Sequence, residues 1–93
     1  MPQTAPLTPI DGYAHLARTP QGTPIIARCP RMRVMDVAAA YTCDFTPDEI
    51  QVDFPFLSPP EIYQAIAFYL DNREEIDRAL DAPSAFARLA RRG

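Results

Sequence analysis

Apolar positions along the chain change period several times, and each change marks an element. From Tyr13, two short runs, Ala14–Thr19 and Pro24–Arg28, flank the turn Pro20-Gln21-Gly22. Short runs on either side of a glycine-bearing turn predict a β-hairpin. Pro24 has no N–H to donate, so it must begin its strand or lie on an edge. A lone hairpin is barely stable, so these strands need the helices or a second chain to lean on. Pro30 closes the hairpin, and Val34, Val37, Ala38 and Tyr41 then follow the i, i+3, i+4, i+7 spacing of a short first helix.

Two strong helix starts come next. Thr46-Pro47-Asp48-Glu49 and Ser58-Pro59-Pro60-Glu61 are both capping boxes with proline at the first helical position. The hydroxyl takes the N–H of the residue three on, and the glutamate reaches back to the cap. Pro55 stops the first of these helices. The second is apolar around nearly its whole circumference, through Ile62, Tyr63, Ala65, Ile66, Ala67, Phe68, Tyr69 and Leu70. Such a helix is buried on most sides. Ile62, Ile66, Phe68, Tyr69 and Leu70 are therefore expected in the core, with part of the helix meeting a second subunit. Asn72 and Glu75 either cap a further helix or lie within a continuous one, and Ile76 and Leu80 extend the apolar stripe in both cases.

The chain thus divides into an arm over residues 1–12, proline-rich and aperiodic, a hairpin plus helices over 13–81, and a basic C-terminal helix over 82–93. Three short helices joined by tight links are the frame of a helix-turn-helix domain. The expected fold is mainly α: a three-helix, helix-turn-helix-like (homeodomain-like) domain preceded by a short N-terminal β-hairpin and followed by a helical tail.

Length and charge sharpen this picture. At 93 residues there is one domain, with a core small enough that a partner subunit would stabilise it. Charge is segregated: residues 1–33 carry +3, residues 34–81 carry −9 and residues 82–93 carry +3, giving −3 in all. The middle repels nucleic acid and both ends attract it. No apolar run is long enough to span a bilayer, and the N-terminus lacks the pattern of a secretory signal, so no membrane association and a cytoplasmic location are expected. Cys29 and Cys43 are far apart and, with the single histidine His15, match no zinc spacing, which predicts two reduced thiols.

Three pieces of sequence resemble a bacterial family, the domain of unknown function numbered 433. They are Pro24-Ile25-Ile26 with Arg31-Met32-Arg33-Val34 and Asp36-Val37; Thr46-Pro47-Asp48-Glu49-Ile50 with Phe54-Pro55 and Leu57-Ser58; and Ile62 to Leu70 with Arg73-Glu74-Glu75-Ile76. The resemblance runs from about Gly22 to Leu80. Where the family usually has Gly-Thr-Arg before the first helix, this chain has Arg28-Cys29-Pro30-Arg31. Members of that family are similar to VapB-type antitoxins. The resemblance implies a helix-turn-helix-like fold whose N-terminal strands help form a homodimer. It also implies pairing with a nuclease-like toxin of the PIN-domain kind and repression of a shared operon.

The residues themselves exclude most chemistry. There is no glycine-rich phosphate loop, no metal-ligand spacing and no nucleophile paired with a base, so neither an enzyme nor a cofactor is expected. Capping accounts for the hydroxyls of Thr46 and Ser58. The acids Asp71, Glu74, Glu75 and Asp77 read as a solvated helix face or a docking surface. DNA contact would rest on Arg28, Arg31 and Arg33, or on the C-terminal arginines, for phosphates and on Gln64 for a base edge. A protein partner would be held by Phe86, Arg88, Leu89, Arg91 and Arg92, since a basic amphipathic tail fits a groove on an acidic partner. The expected function is the antitoxin of a type II toxin–antitoxin module, with an orphan DNA-binding transcriptional regulator as the alternative.

Overall fold

A computed structural model describes residues 7–81 of the chain. Four strands come first: β1 (Thr8–Ile10), β2 (Tyr13–Arg18), β3 (Pro24–Ile26) and β4 (Cys29–Arg33). They form one antiparallel meander in the order β1-β2-β3-β4. Four helices follow: α1 (Val34–Thr42), α2 (Pro47–Asp53), α3 (Pro59–Asp71) and α4 (Arg73–Asp81).

The expected hairpin is β2–β3, with Leu16 opposite Ile26, Ala17 opposite Ile25 and Arg18 opposite Pro24. Its turn closes through the Gly22 N–H to the Thr19 carbonyl at 2.8 Å and the Thr19 N–H to the Thr23 carbonyl at 2.9 Å. Gly22 sits at φ +90°, a conformation that disfavours any side chain. Pro24 begins β3, as its missing N–H requires.

The mainly α, three-helix, helix-turn-helix-like expectation is overturned. Over the described residues the fold is mixed, strands first and helices after, with a four-stranded sheet and four helices. The two additional strands are the sheet's edges. Each carries a proline, Pro9 in β1 and Pro30 in β4. Proline is tolerated on an edge, where no ladder bond is required of it, and it discourages further pairing there. In the sequence those same prolines read as breakers, so β1 fell within the arm and β4 within a helix approach.

The helices start as their caps dictate. Glu49 N–H donates to Thr46 Oγ1 at 3.2 Å and Thr46 N–H donates to Glu49 Oε1 at 2.8 Å. Ser58 and Glu61 repeat the exchange at 3.4 and 2.8 Å. At α1 the Arg33 N–H donates to Asp36 Oδ2 at 3.1 Å. α1 ends where Asp44 adopts φ +71° and the Phe45 N–H returns to the Ala40 carbonyl at 3.2 Å, a left-handed cap with aspartate in glycine's usual place. Between α3 and α4 the chain breaks at Asn72, whose amide donates to the Phe68 carbonyl at 3.0 Å.

Leu16 of β2 and Ile26 of β3 enter one core with Val34, Val37 and Ala38 of α1, Ile50 of α2, Ile62, Ala65 and Phe68 of α3, and Ile76 of α4. Phe68 is its largest fully buried side chain. Tyr13 meets the Phe68 ring edge-on, with centroids 5.2 Å apart, and the Arg18 guanidinium lies 5.5 Å from its centre. Ile62, Ile66, Phe68 and Tyr69 are buried as expected. Leu70 is not: it is 45% exposed. Tyr63, Ala67 and Leu70 follow i, i+4, i+7 spacing and lie on the outer face of α3, so the helix is buried on one side only.

Candidate functional site

The residues expected at nucleic acid are mostly engaged within the fold. Arg28, in the β3–β4 turn, donates Nε to Glu61 Oε2 at 2.8 Å and Nη2 to Glu61 Oε1 at 2.7 Å, and a further bond to the Phe56 carbonyl at 2.6 Å. Glu61 is 2% exposed, and it is the buried charged residue among those described. Its carboxylate performs two tasks: it caps α3 through the Ser58 N–H and it clamps the β3–β4 turn to the start of that helix. The Arg28 guanidinium holds the Glu61 carboxyl at about 2, well below its ordinary 4.5; burial opposes this and the Ser58 N–H assists.

Arg33 is turned toward Asp36, with Nη2 to Oδ1 at 3.2 Å and Nε to Oδ2 at 3.3 Å. Gln64 Oε1 accepts the backbone N–H of His15 at 2.8 Å, tying α3 to β2. Arg31 stands exposed on β4 and makes no hydrogen bond to another described residue. Of Arg28, Arg31, Arg33 and Gln64, Arg31 is the one whose side chain is not engaged by another described residue, and the C-terminal arginines lie outside the described residues. Phe86, Arg88, Leu89, Arg91 and Arg92, the expected toxin contacts, lie outside the described residues.

Three of the four acids singled out on α3 and α4 are likewise tied into the frame, while Glu74 stays exposed. Asp71 accepts the Tyr13 hydroxyl. Glu75 pairs with Arg18 at 2.7 Å, raising the arginine's pKa through that bond. Asp77 accepts the Tyr69 hydroxyl at 3.0 Å; burial, then this bond, raises the tyrosine's pKa. Among the described residues no cluster of three or more His, Cys, Asp or Glu has the geometry to hold a metal ion. Cys29 is a half-buried free thiol and Cys43 an exposed one.

The sequence did not point to the surface made by α2 and its flanks. α2 has seven residues and sends only Ile50 into the core. Phe45 is 40% exposed, Val52 76% and Phe56 50%. The Phe54 and Phe56 rings meet edge-on, with centroids 6.1 Å apart. Between α1 and α2 runs a groove of about 230 Å³, lined by Asp36, Ala40, Cys43, Phe45, Asp53 and Phe54. The available signal was compositional: four acids and three phenylalanines fall between Asp44 and Phe56, with no base among them.

Among the described residues no helix is long and apolar enough to cross a membrane. No curated protein and no solved structure matches the chain. A family model does match, over residues 18–69, more than half of the sequence, from the last residue of β2 through most of α3. The chain therefore belongs to the DUF433 family, described as proteins of unknown function.

Proposed function

We propose that this chain is a protein-binding domain, the antitoxin of a type II toxin–antitoxin module, which acts as a cytoplasmic homodimer and neutralises a nuclease-like toxin of the PIN-domain kind. One observation carries the choice of a protein partner over DNA: Arg28, Arg33 and Gln64 are engaged in internal bonds, while Phe45, Val52, Phe56, Tyr63 and Leu70 leave apolar surface uncovered on and around α2 and α3. Exposed apolar side chains on a small domain, flanked by acids, suit a protein surface. The phosphate backbone of DNA rewards unpaired cations, and the segment from Val34 to Asn72 carries none. The antitoxin assignment itself rests on the family resemblance, through the likeness to VapB-type antitoxins that the sequence reading attaches to that family.

Co-expression with the product of the adjacent open reading frame tests the reading. The expected outcome is co-purification and relief of growth arrest. A neighbour that is harmless alone and elutes separately contradicts it.

The regulator reading retains Arg31, exposed on the edge strand β4. Binding to upstream DNA that weakens steeply with salt and is lost in Arg31→Ala would favour it.

A further inference from the structure

The groove between α1 and α2 combines three features that together select an occupant. Its floor is apolar and aromatic, formed by Ala40, Phe45 and Phe54, while Asp36 and Asp53 supply carboxylates. Asp36 already receives Arg33, through bonds of 3.1 to 3.3 Å. Asp53 is exposed and accepts no hydrogen bond from another described residue. At about 230 Å³ the groove is smaller than the roughly 300–1,000 Å³ of small-molecule sites, so it suits one or two side chains rather than a cofactor. The segment that builds the groove is acidic: from Val34 to Asn72 there are seven acids and no base, with Arg33 paired to Asp36 and Arg73 beyond Phe45 as the nearby cations.

We propose that this groove docks a basic, apolar segment of a partner protein. An arginine side chain lies along Phe45 and Phe54 with its guanidinium on Asp53, and neighbouring apolar side chains of the same segment cover the exposed Phe56 ring. Arginine fits better than lysine, because its planar fork stacks on aromatic rings and pairs with a carboxylate through two bonds. The complementarity is of charge and shape together: acids alone attract any cation, and the phenylalanines alone attract any grease. The inference rests on the protein-binding reading given above and adds to it a location and a partner chemistry. It does not depend on the partner being a toxin.

The test uses the full chain and three synthetic cysteine-free peptides of twelve residues: one of arginine, leucine and alanine with amphipathic spacing, one with glutamate replacing arginine, and one of arginine and glycine only. Cys43 lines the groove and is exposed, so its alkylation by neutral iodoacetamide reports occupancy site by site, with Cys29 as internal control. The arginine–leucine peptide is expected to slow Cys43 alkylation selectively and to bind at least about tenfold tighter than either control, since each control removes one of the two contributions. Asp53→Asn should weaken it about fivefold, as expected for losing a partly shielded charge pair. Three results overturn the proposal: equal binding of the arginine–glycine peptide, no protection of Cys43 at millimolar peptide, or protection that appears with rising protein concentration alone, which would seat a second copy there. A failed co-purification with the neighbouring gene product, beside specific peptide protection of Cys43, would remove the antitoxin reading and leave the docking site standing.

Discussion

Replacing Glu61 by glutamine changes one charge and almost no volume, so it isolates what the buried ion pair contributes. In the native fold both carboxylate oxygens accept from Arg28, at 2.7 and 2.8 Å, and Oε1 also accepts the Ser58 N–H at 2.8 Å. Glutamine keeps one acceptor for the cap but turns an N–H₂ toward the donors of Arg28. The fall of the carboxyl from 4.5 to about 2 sets a ceiling: at about 1.36 kcal/mol per pH unit it corresponds to about 3.4 kcal/mol. The Arg28 side chain is 59% exposed, so water replaces part of what it loses, and about 2 kcal/mol is the expected cost. For a domain of this size that lowers Tm by about 8–16 °C. The sign with pH follows from the depressed value. The stabilisation is complete above about pH 5 and is lost as pH falls from 4.5 through about 2. Thermal and urea unfolding followed by circular dichroism at pH 7 and pH 3 measures both effects. Native chain and Glu61→Gln should differ by about 2 kcal/mol at neutral pH and by less than about half of that at pH 3, converging only below about pH 2. A difference below about 0.5 kcal/mol at pH 7, or one that does not change with pH, refutes the clamp.

Three further substitutions test the frame. Ser58→Ala should cost about 1 kcal/mol by removing the α3 cap, read as a lower urea midpoint with an unchanged slope. Phe68→Ala should cost about 3–5 kcal/mol, because it empties the centre of the core beneath Tyr13 and Arg18, and near-ultraviolet dichroism will show whether native packing survives. Gly22→Ala should cost about 1–2 kcal/mol through backbone strain alone, since the residue sits at φ +90° and no atom lies within 4 Å of the added methyl. Equal stability to the parent would mean that the turn relaxes.

Local signals were legible and distant ones were not. The caps at Thr46 and Ser58, the β2–β3 hairpin and the buried side of α3 follow from spacing within a few residues. Pro9 and Pro30 conceal the two edge strands, because the chemistry that ends a central strand is the same chemistry that suits an edge. Glu61 reads as the back-reaching glutamate of a capping box. That it is buried follows from a contact with Arg28, 33 residues away, which no local pattern announces. Gln64 is hidden in the same way: its side-chain oxygen meets the His15 N–H, 49 residues away, which only the folded chain brings near. Leu70 lies where a single chain decides least: the apolar circumference of α3 implies burial on most sides, and within one chain Tyr63, Ala67 and Leu70 stay outside, on the part of the helix that the sequence reading gives to a second subunit.

The central claim is that this domain works through a protein partner, and native mass spectrometry of the chain co-expressed with its genomic neighbour measures that most directly. The account predicts an assembly containing both polypeptides that persists at salt concentrations sufficient to strip nucleic acid from proteins. It is contradicted if the chain is recovered alone while binding the upstream DNA with a steep salt dependence.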